Sequence, residues 1–226
     1  PIIIAVVVVV TNTYSGITTI SAGTLKISGT TVKTGASAPY SITSSPVGRT
    51  TVTVTEGALD LNGNDLYNPL TLSGTITNAV NLTNSSSTAA TSYGIVTLTS
   101  GANTTNEFSA ATNKTLTIAG AVNQSSASSP SLLVIGDGTN TGTVYLTGSG
   151  GTLSGGTTIT SGSTLNINTG ILSSSTITVN GTCIGTGCPT SVIYITIVAS
   201  QSMTYGTAYG FSFYFSKKGR DLGHHR

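Results

Sequence analysis

One phrase is written twice in this chain. Tyr14-Ser15-Gly16-Ile17-Thr18-Thr19-Ile20-Ser21-Ala22-Gly23-Thr24-Leu25-Lys26-Ile27 returns as Leu153-Ser154-Gly155-Gly156-Thr157-Thr158-Ile159-Thr160-Ser161-Gly162-Ser163-Thr164-Leu165-Asn166-Ile167, with Ser163 as a single insertion. Each copy reads as a turn, a short strand, a Gly turn and a second short strand. A unit this small cannot bury its own apolar face, so it must be stacked on similar units. The chain is therefore expected to be repetitive β-structure.

Composition separates that reading from disorder. Only 6% of the residues are charged, the formal net charge is +2, and Ser and Thr make up roughly a third of the chain. Disordered chains combine low hydrophobicity with high net charge. Here 37% of residues are hydrophobic and the mean hydropathy is +0.25. Val, Ile, Leu and Thr suit a pleated, half-buried backbone, and the polar surface is hydroxyl and amide instead of ionic. The weak charge and the absence of Trp argue against a nucleic-acid partner, which calls for clustered Lys and Arg or aromatic stacking platforms. The run Ile2 to Val10 is apolar but about half the length of a bilayer span. It reads as a buried or edge strand, in a chain whose two ends look like cuts through a longer protein.

Apolar doublets with one polar residue between them recur at Leu25/Ile27, Val52/Val54, Leu59/Leu61, Leu70/Leu72, Val80/Leu82, Val96/Leu98, Leu116/Ile118, Leu132/Val134, Val144/Leu146, Leu165/Ile167 and Ile177/Val179. Each doublet places two side chains on one face of a short strand. Gly, Asn, Asp or Ser lies near almost every one, which supplies turns. Helix is excluded by period and by breaks such as Gly148-Ser149-Gly150-Gly151. Evenly spaced short strands fit a sandwich, a barrel or a β-helix, and the internal repeat favours an all-β, right-handed parallel β-helix over residues 1–190. Asn62, Asn64, Asn166, Asn168 and Asn180 are candidates for stacked turn ladders. Thr-x-Thr triplets at Thr53/Thr55, Thr75/Thr77, Thr97/Thr99, Thr115/Thr117, Thr158/Thr160 and Thr176/Thr178 suggest rungs of 18 to 22 residues (115−97 and 75−53).

Chemistry-bearing residues are few. Glu56, Asp60, Asp65, Glu107, Asp137 and Asp221 are scattered singly. A solenoid could still bring Asp60, Asp65 and Glu56 together with Arg49 or Lys33 in a lyase-like groove, where carboxylates and a basic residue would act with Ca²⁺. Gly136-Asp137-Gly138-Thr139-Asn140 offers Ca²⁺-compatible oxygens but lacks the tandem nonapeptide pattern, and reads as a turn. His224 and His225 are adjacent and cannot form an i, i+4 metal pair. No His lies in the body of the chain to activate a Ser, so no catalytic residue, cofactor or metal ligand is assigned. Cys183 and Cys188 bracket a Gly-rich loop and are the candidate disulfide of a secreted chain.

Thr13-Tyr14-Ser15-Gly16-Ile17-Thr18-Thr19-Ile20-Ser21-Ala22-Gly23-Thr24-Leu25 resembles the autotransporter-associated β-strand repeat of large bacterial surface proteins. Gly142-Thr143-Val144-Tyr145-Leu146-Thr147-Gly148 is similar to its usual lead-in, and Gly57-Ala58-Leu59-Asp60-Leu61-Asn62-Gly63 to a companion rung. The segment Ile193 to Ala208, with Met203-Thr204-Tyr205-Gly206, resembles the opening strand of an MBG-type immunoglobulin-like repeat, so 191–226 is set apart as a partial module with an atypical tail. The resemblance implies an extracellular, surface-displayed adhesin or structural stalk, non-enzymatic and joined to a membrane only through flanking domains. Host or neighbouring-cell glycans or proteins, and sister rods, are its expected partners. The spacers Asn84 to Tyr93 and Gln124 to Ser131 are expected to be the binding loops. The alternatives are a carbohydrate-active β-helix (polysaccharide lyase or tailspike-like) and an ice-binding solenoid with its Thr pairs on one flat face.

Overall fold

The computed structural model describes residues 5–8, 12–75, 80–99, 104–126, 130–149, 151–167, 177–185 and 188. The tail 191–226, with His224 and His225, and Asn168, Thr77 and Thr176 lie outside the described residues.

Strands of three to six residues cannot form independent sheets. Here the strands pair with their counterparts in neighbouring rungs, on both sides except at the sheet edges. One parallel sheet of eight strands runs β1 (Ala5–Val8), β3 (Thr24–Ile27), β7 (Gly57–Asp60), β9 (Val80–Asn84), β12 (Thr105–Ala110), β15 (Leu132–Ile135), β17 (Thr157–Ile159) and β19 (Ile177–Val179). A second, of five, holds β10 (Ala90–Ser92), β13 (Thr115–Ile118), β16 (Thr143–Leu146), β18 (Thr164–Ile167) and β20 (Thr182–Ile184). The third holds β2 (Thr18–Ile20), β6 (Val52–Val54), β8 (Leu70–Leu72), β11 (Val96–Leu98) and β14 (Val122–Gln124). Call these the eight-strand, Tyr-bearing and Thr-bearing sheets. The chain visits Thr-bearing, eight-strand and Tyr-bearing sheets in turn, then begins the next rung. It is an all-β parallel β-helix. The antiparallel pair β4 (Val32–Thr34) and β5 (Ser41–Ser44) is an excursion from the first full rung.

Inward residues stack into columns. Leu25, Leu59, Leu82, Phe108, Ile135, Ile159 and Val179 stand level along the eight-strand sheet. Leu116, Val144, Leu165 and Cys183 do so along the Tyr-bearing sheet, and Val54, Leu72 and Leu98 along the Thr-bearing sheet. These belong to one buried cluster, with Leu25, Val179 and Cys183 packed at its margin. Most of the sequence doublets are these inward pairs. One slips: Leu133 and Ile135 face the core, while Leu132 and Val134 are half-buried on the outside. Four consecutive apolar residues carry no alternation, so sequence alone cannot set the phase there.

The two copies of the repeated phrase do not occupy equivalent places. The first supplies β2 and β3, on the Thr-bearing and eight-strand sheets; the second supplies β17 and β18, on the eight-strand and Tyr-bearing sheets. The strand–turn–strand unit is thus one corner, used at two different corners of the rod. Rung length varies too. Thr53 is level with Thr71 and Thr71 with Thr97, so the uniform 18-to-22-residue spacing inferred from Thr triplets does not hold.

The triplets turn out to have two roles. Thr19, Thr53, Thr71 and Thr97 form an outward column on the Thr-bearing sheet. The second member of several triplets lies past the strand end and stitches rungs together. Thr99 donates both its backbone N–H (2.8 Å) and its Oγ1 (3.1 Å) to the Leu72 carbonyl. Thr55 does the same to Ile20 and Thr160 to Ile135. We expect Thr99→Val to cost about 1 kcal/mol in urea unfolding, the net worth of one such bond, while Thr53→Val stays within about 0.5 kcal/mol.

Asn residues also act singly, not as ladders. Asn62 and Asn64 both donate to the Ile27 carbonyl (3.1 and 3.3 Å). Three fully buried Asn that the sequence did not flag do more. Asn84 accepts from the Gly63 N–H and donates to the Thr88 and Thr115 carbonyls (2.9, 2.9 and 2.7 Å). Asn68 donates to Gly48 and Thr50, and Asn106 joins Gly74 to Ser131. Each satisfies backbone groups where a corner interrupts the ladder, since an unpaired buried group is costly.

Candidate functional site

The outward positions of the Tyr-bearing sheet carry the most distinctive surface. Leu66 bridges to Ser92, and Tyr93 N–H donates to the Leu66 carbonyl at 2.7 Å, so Tyr67 and Tyr93 stand one above the other just past the strand. Their rings stack at 4.5 Å, 5° from parallel. Tyr40, ahead of β5, meets the Tyr67 ring edge-on at 5.0 Å. Lys33 on β4 places its Nζ 4.7 Å from the Tyr40 ring centre and 5.0 Å from that of Tyr67, while donating to the Gly35 carbonyl. Burial, then Tyr93, Asp65 and Tyr40, push the Tyr67 phenol above its ordinary pKa. The three rings are half-buried, and Thr91, Thr117, Tyr145 and Thr147 lie beside and beyond them on the same outer face. Rings that present a flat apolar surface among hydroxyls suit ligands with both characters.

At the adjoining corner the backbone comes close to itself. A Cβ on Gly94 would lie 2.0 Å from the Asn68 carbonyl oxygen, one on Gly120 1.9 Å from that of Gly94, and one on Gly148 2.1 Å from that of Gly120. This glycine column lets successive rungs close up directly behind the tyrosines.

The carboxylates are distributed over different parts of the rod. Asp60, 3% exposed, accepts from the backbone N–H of Asn62 and Ser85 (2.9 and 3.0 Å) and from Ser85 Oγ, with Lys26 Nζ 3.6 Å away. It is a corner staple. Asp65 is exposed near Tyr67. Neither Glu56 nor Arg49 has a side-chain bond to Asp60 or Asp65 among the described residues; the Arg49 backbone N–H donates to Tyr14. Among the described residues no hydrogen bond or ion pair joins any two of these four side chains, and Lys33 lies instead against Tyr40 and Tyr67.

A different pair of acids, Glu107 on β12 and Asp137 just past β15, is close enough for the charges to interact. Glu107 accepts from Asn81 Nδ2 at 2.7 Å, and Asn81 in turn donates to Ser109 at 2.9 Å. Burial, reinforced by the neighbouring Asp137 charge and only partly offset by Ser109, raises the Glu107 carboxyl to about 7. Burial also acts against the Asp137 charge, but the N–H groups of Asn140 and Thr139 outweigh it and hold that carboxyl below its ordinary value. Asp137 thus organises the turn that the sequence foresaw at Gly136 to Asn140. Among the described residues no three His, Cys, Asp or Glu stand together as a metal site.

Cys183 and Cys188 are joined by a disulfide, S–S 2.08 Å, beside the last strands. Much of the spacer Asn84 to Tyr93 is part of the rod: Asn84 ends β9, Ala90–Ser92 form β10, and Asn84, Ala90 and Ser92 are buried, which leaves 85–89 as an outer turn whose Ser85, Ser87, Thr88 and Ala89 are exposed. Ala90 and Ser92 look like loop in sequence yet face the core. Gln124 and Ser131 are likewise integrated, Gln124 Nε2 donating to the Ser131 carbonyl at 2.8 Å, with 127–129 outside the described residues. The described excursion from the rod is β4–β5, which carries Lys33. Comparison with family models, with curated proteins and with solved structures finds no match to this chain.

Proposed function

We propose that the chain is a segment of an extracellular, non-catalytic rod that acts as an adhesin or structural stalk on a bacterial surface. The observation that supports this most is the single buried core running beneath neutral, hydroxyl-rich faces. A rod of this kind projects whatever its surface carries without needing a moving part or a reactive centre. The resemblance of Thr13 to Leu25 to an autotransporter-associated strand repeat points the same way. Glycans and proteins of other cells, and sister rods, are the partners such a surface serves.

The test is to raise antibodies against the folded segment and label cells of the organism that makes it. This reading expects labelling of intact cells and its loss after brief external proteolysis. Labelling that requires lysis would overturn it.

A further inference from the structure

The aromatic ladder stops one rung early, and that stop defines a site. Tyr67 covers one face of Tyr93. On the other side the level residue is Ala119, because Ser92 pairs with Ile118 and the Ala119 N–H donates to the Ser92 carbonyl at 2.8 Å. Among the described residues no third ring lies on Tyr93. Beyond Ala119 comes Thr147, whose N–H donates to Ile118, and Thr117 and Tyr145 stand level with each other in the neighbouring column. The result is a step the height of one ring, floored by a methyl group and walled by Tyr93. Rungs are spaced by about 4.8 Å, close to the separation of stacked rings. The Ala119 level is thus where a third ring would sit if one came from outside.

We infer that the step between Tyr93 and Thr147, over Ala119, is a subsite for one pyranose ring of a neutral glycan. A pyranose has an apolar face of C–H groups to lie on Tyr93 and equatorial hydroxyls to exchange bonds with threonines at the rim. Thr91, Thr117 and Thr147 supply such hydroxyls. The charge pattern fixes the class. None of Thr91, Tyr93, Thr117, Ala119, Tyr145 and Thr147 is charged, so an ionic ligand would lose hydration there and gain no ion pair. The nearby charges, Lys33 and Asp65, act at Tyr67, on the other side of Tyr93 from the step: the Lys33 ammonium lies against Tyr40 and Tyr67 and on the Gly35 carbonyl, and Asp65 faces the Tyr67 phenol. The inference rests on the glycan-contacting reading above and names where contact is made.

Native affinity electrophoresis of the full chain in gels containing soluble mannan, β-glucan, galactan or, as the anionic comparison, polygalacturonate tests it. Retardation is expected in at least one neutral gel. Tyr93→Ala should weaken it at least 10-fold, and Ala119→Tyr, which completes the ladder with the protein's own ring, should do the same without loss of thermal stability. Tyr93→Phe should retain it. Retardation in neutral gels that survives Ala119→Tyr would overturn the subsite while leaving surface display intact. No retardation in any neutral gel, or retardation by polygalacturonate alone, would overturn the neutral-glycan assignment. Cell labelling decides the surface reading independently.

Discussion

Replacing Gly120 by Ala should destabilise the rod by at least about 4 kcal/mol, among the largest effects available to a single methyl group. The added carbon would stand 1.9 Å from the Gly94 carbonyl oxygen and 2.5 Å from its carbon. Those atoms are backbone of the adjacent rung, so no side-chain rotation relieves the clash. The rung on the far side is just as close: a Cβ on Gly148 would stand 2.1 Å from the Gly120 carbonyl oxygen. Separating the rungs would break the Ala119 and Gly120 N–H bonds to the Ser92 carbonyl. Gly16 is the control: a Cβ there meets nothing within 4 Å, and its Ala variant should unfold within about 0.5 kcal/mol of the parent. Urea titration followed by circular dichroism distinguishes the two.

Glu107→Gln should stabilise the protein at pH 8 by up to about 3 kcal/mol and leave it unchanged near pH 4. The folded chain holds the Glu107 proton to about 7, against an ordinary value of 4.5. Between those values the folded state binds more protons than the unfolded one, so stability falls as pH rises across that window. It is fully present below 4.5 and lost above 7. Gln keeps an oxygen for Asn81 Nδ2 and removes the buried charge, so the slope in that window should vanish. Asp137 acts with the opposite sign: its lowered carboxyl contributes stability above its ordinary range, lost as the medium becomes more acidic. Melting temperatures of parent and variant at pH 4, 6 and 8 separate the two carboxyls. A parent whose stability is flat from pH 4.5 to 7 would remove the burial account of Glu107.

Much of this architecture can be read from the chain before any coordinates. Doublets such as Val52/Val54, Leu70/Leu72 and Val96/Leu98 declare both strand and inward face, because one polar residue separates two large apolar ones. The reading fails where that contrast disappears. Leu132 to Ile135 is apolar throughout, and only neighbouring rungs choose the phase. Ala90 and Ser92 are too small to announce a strand, yet both are buried.

The candidate surface is harder to read, for a different reason. Tyr67 and Tyr93, and Gly94 and Gly120, meet only through the winding of the rungs, and rung length changes along the chain. The stretch from Thr53 to Thr71 is shorter than that from Thr71 to Thr97, while β4–β5 lengthens the first rung. Sequence periodicity cannot recover contacts across a variable period. The Thr triplets illustrate the consequence: Thr53 stacks on Thr71, not on Thr75, and Thr55, Thr99 and Thr160 spend hydroxyls on carbonyls of the previous rung. Glu107 and Asp137 are a further case, two isolated acids in sequence whose charges interact only through the winding.

The claim that everything else requires is axial stacking in register. Ala58, Asn81, Glu107, Val134, Thr158 and Thr178 occupy one outward column, each level with the next. Electron spin–spin distances between labels on cysteines introduced at Ala58 and Thr178 measure its length directly. Five steps of about 4.8 Å place the two backbone sites about 24 Å apart, and moving the second label back to Thr158 should shorten the distance by about one step. A narrow distribution that tracks those steps is the predicted result. A broad distribution, or a separation that does not change with rung number, would contradict the stacked rod.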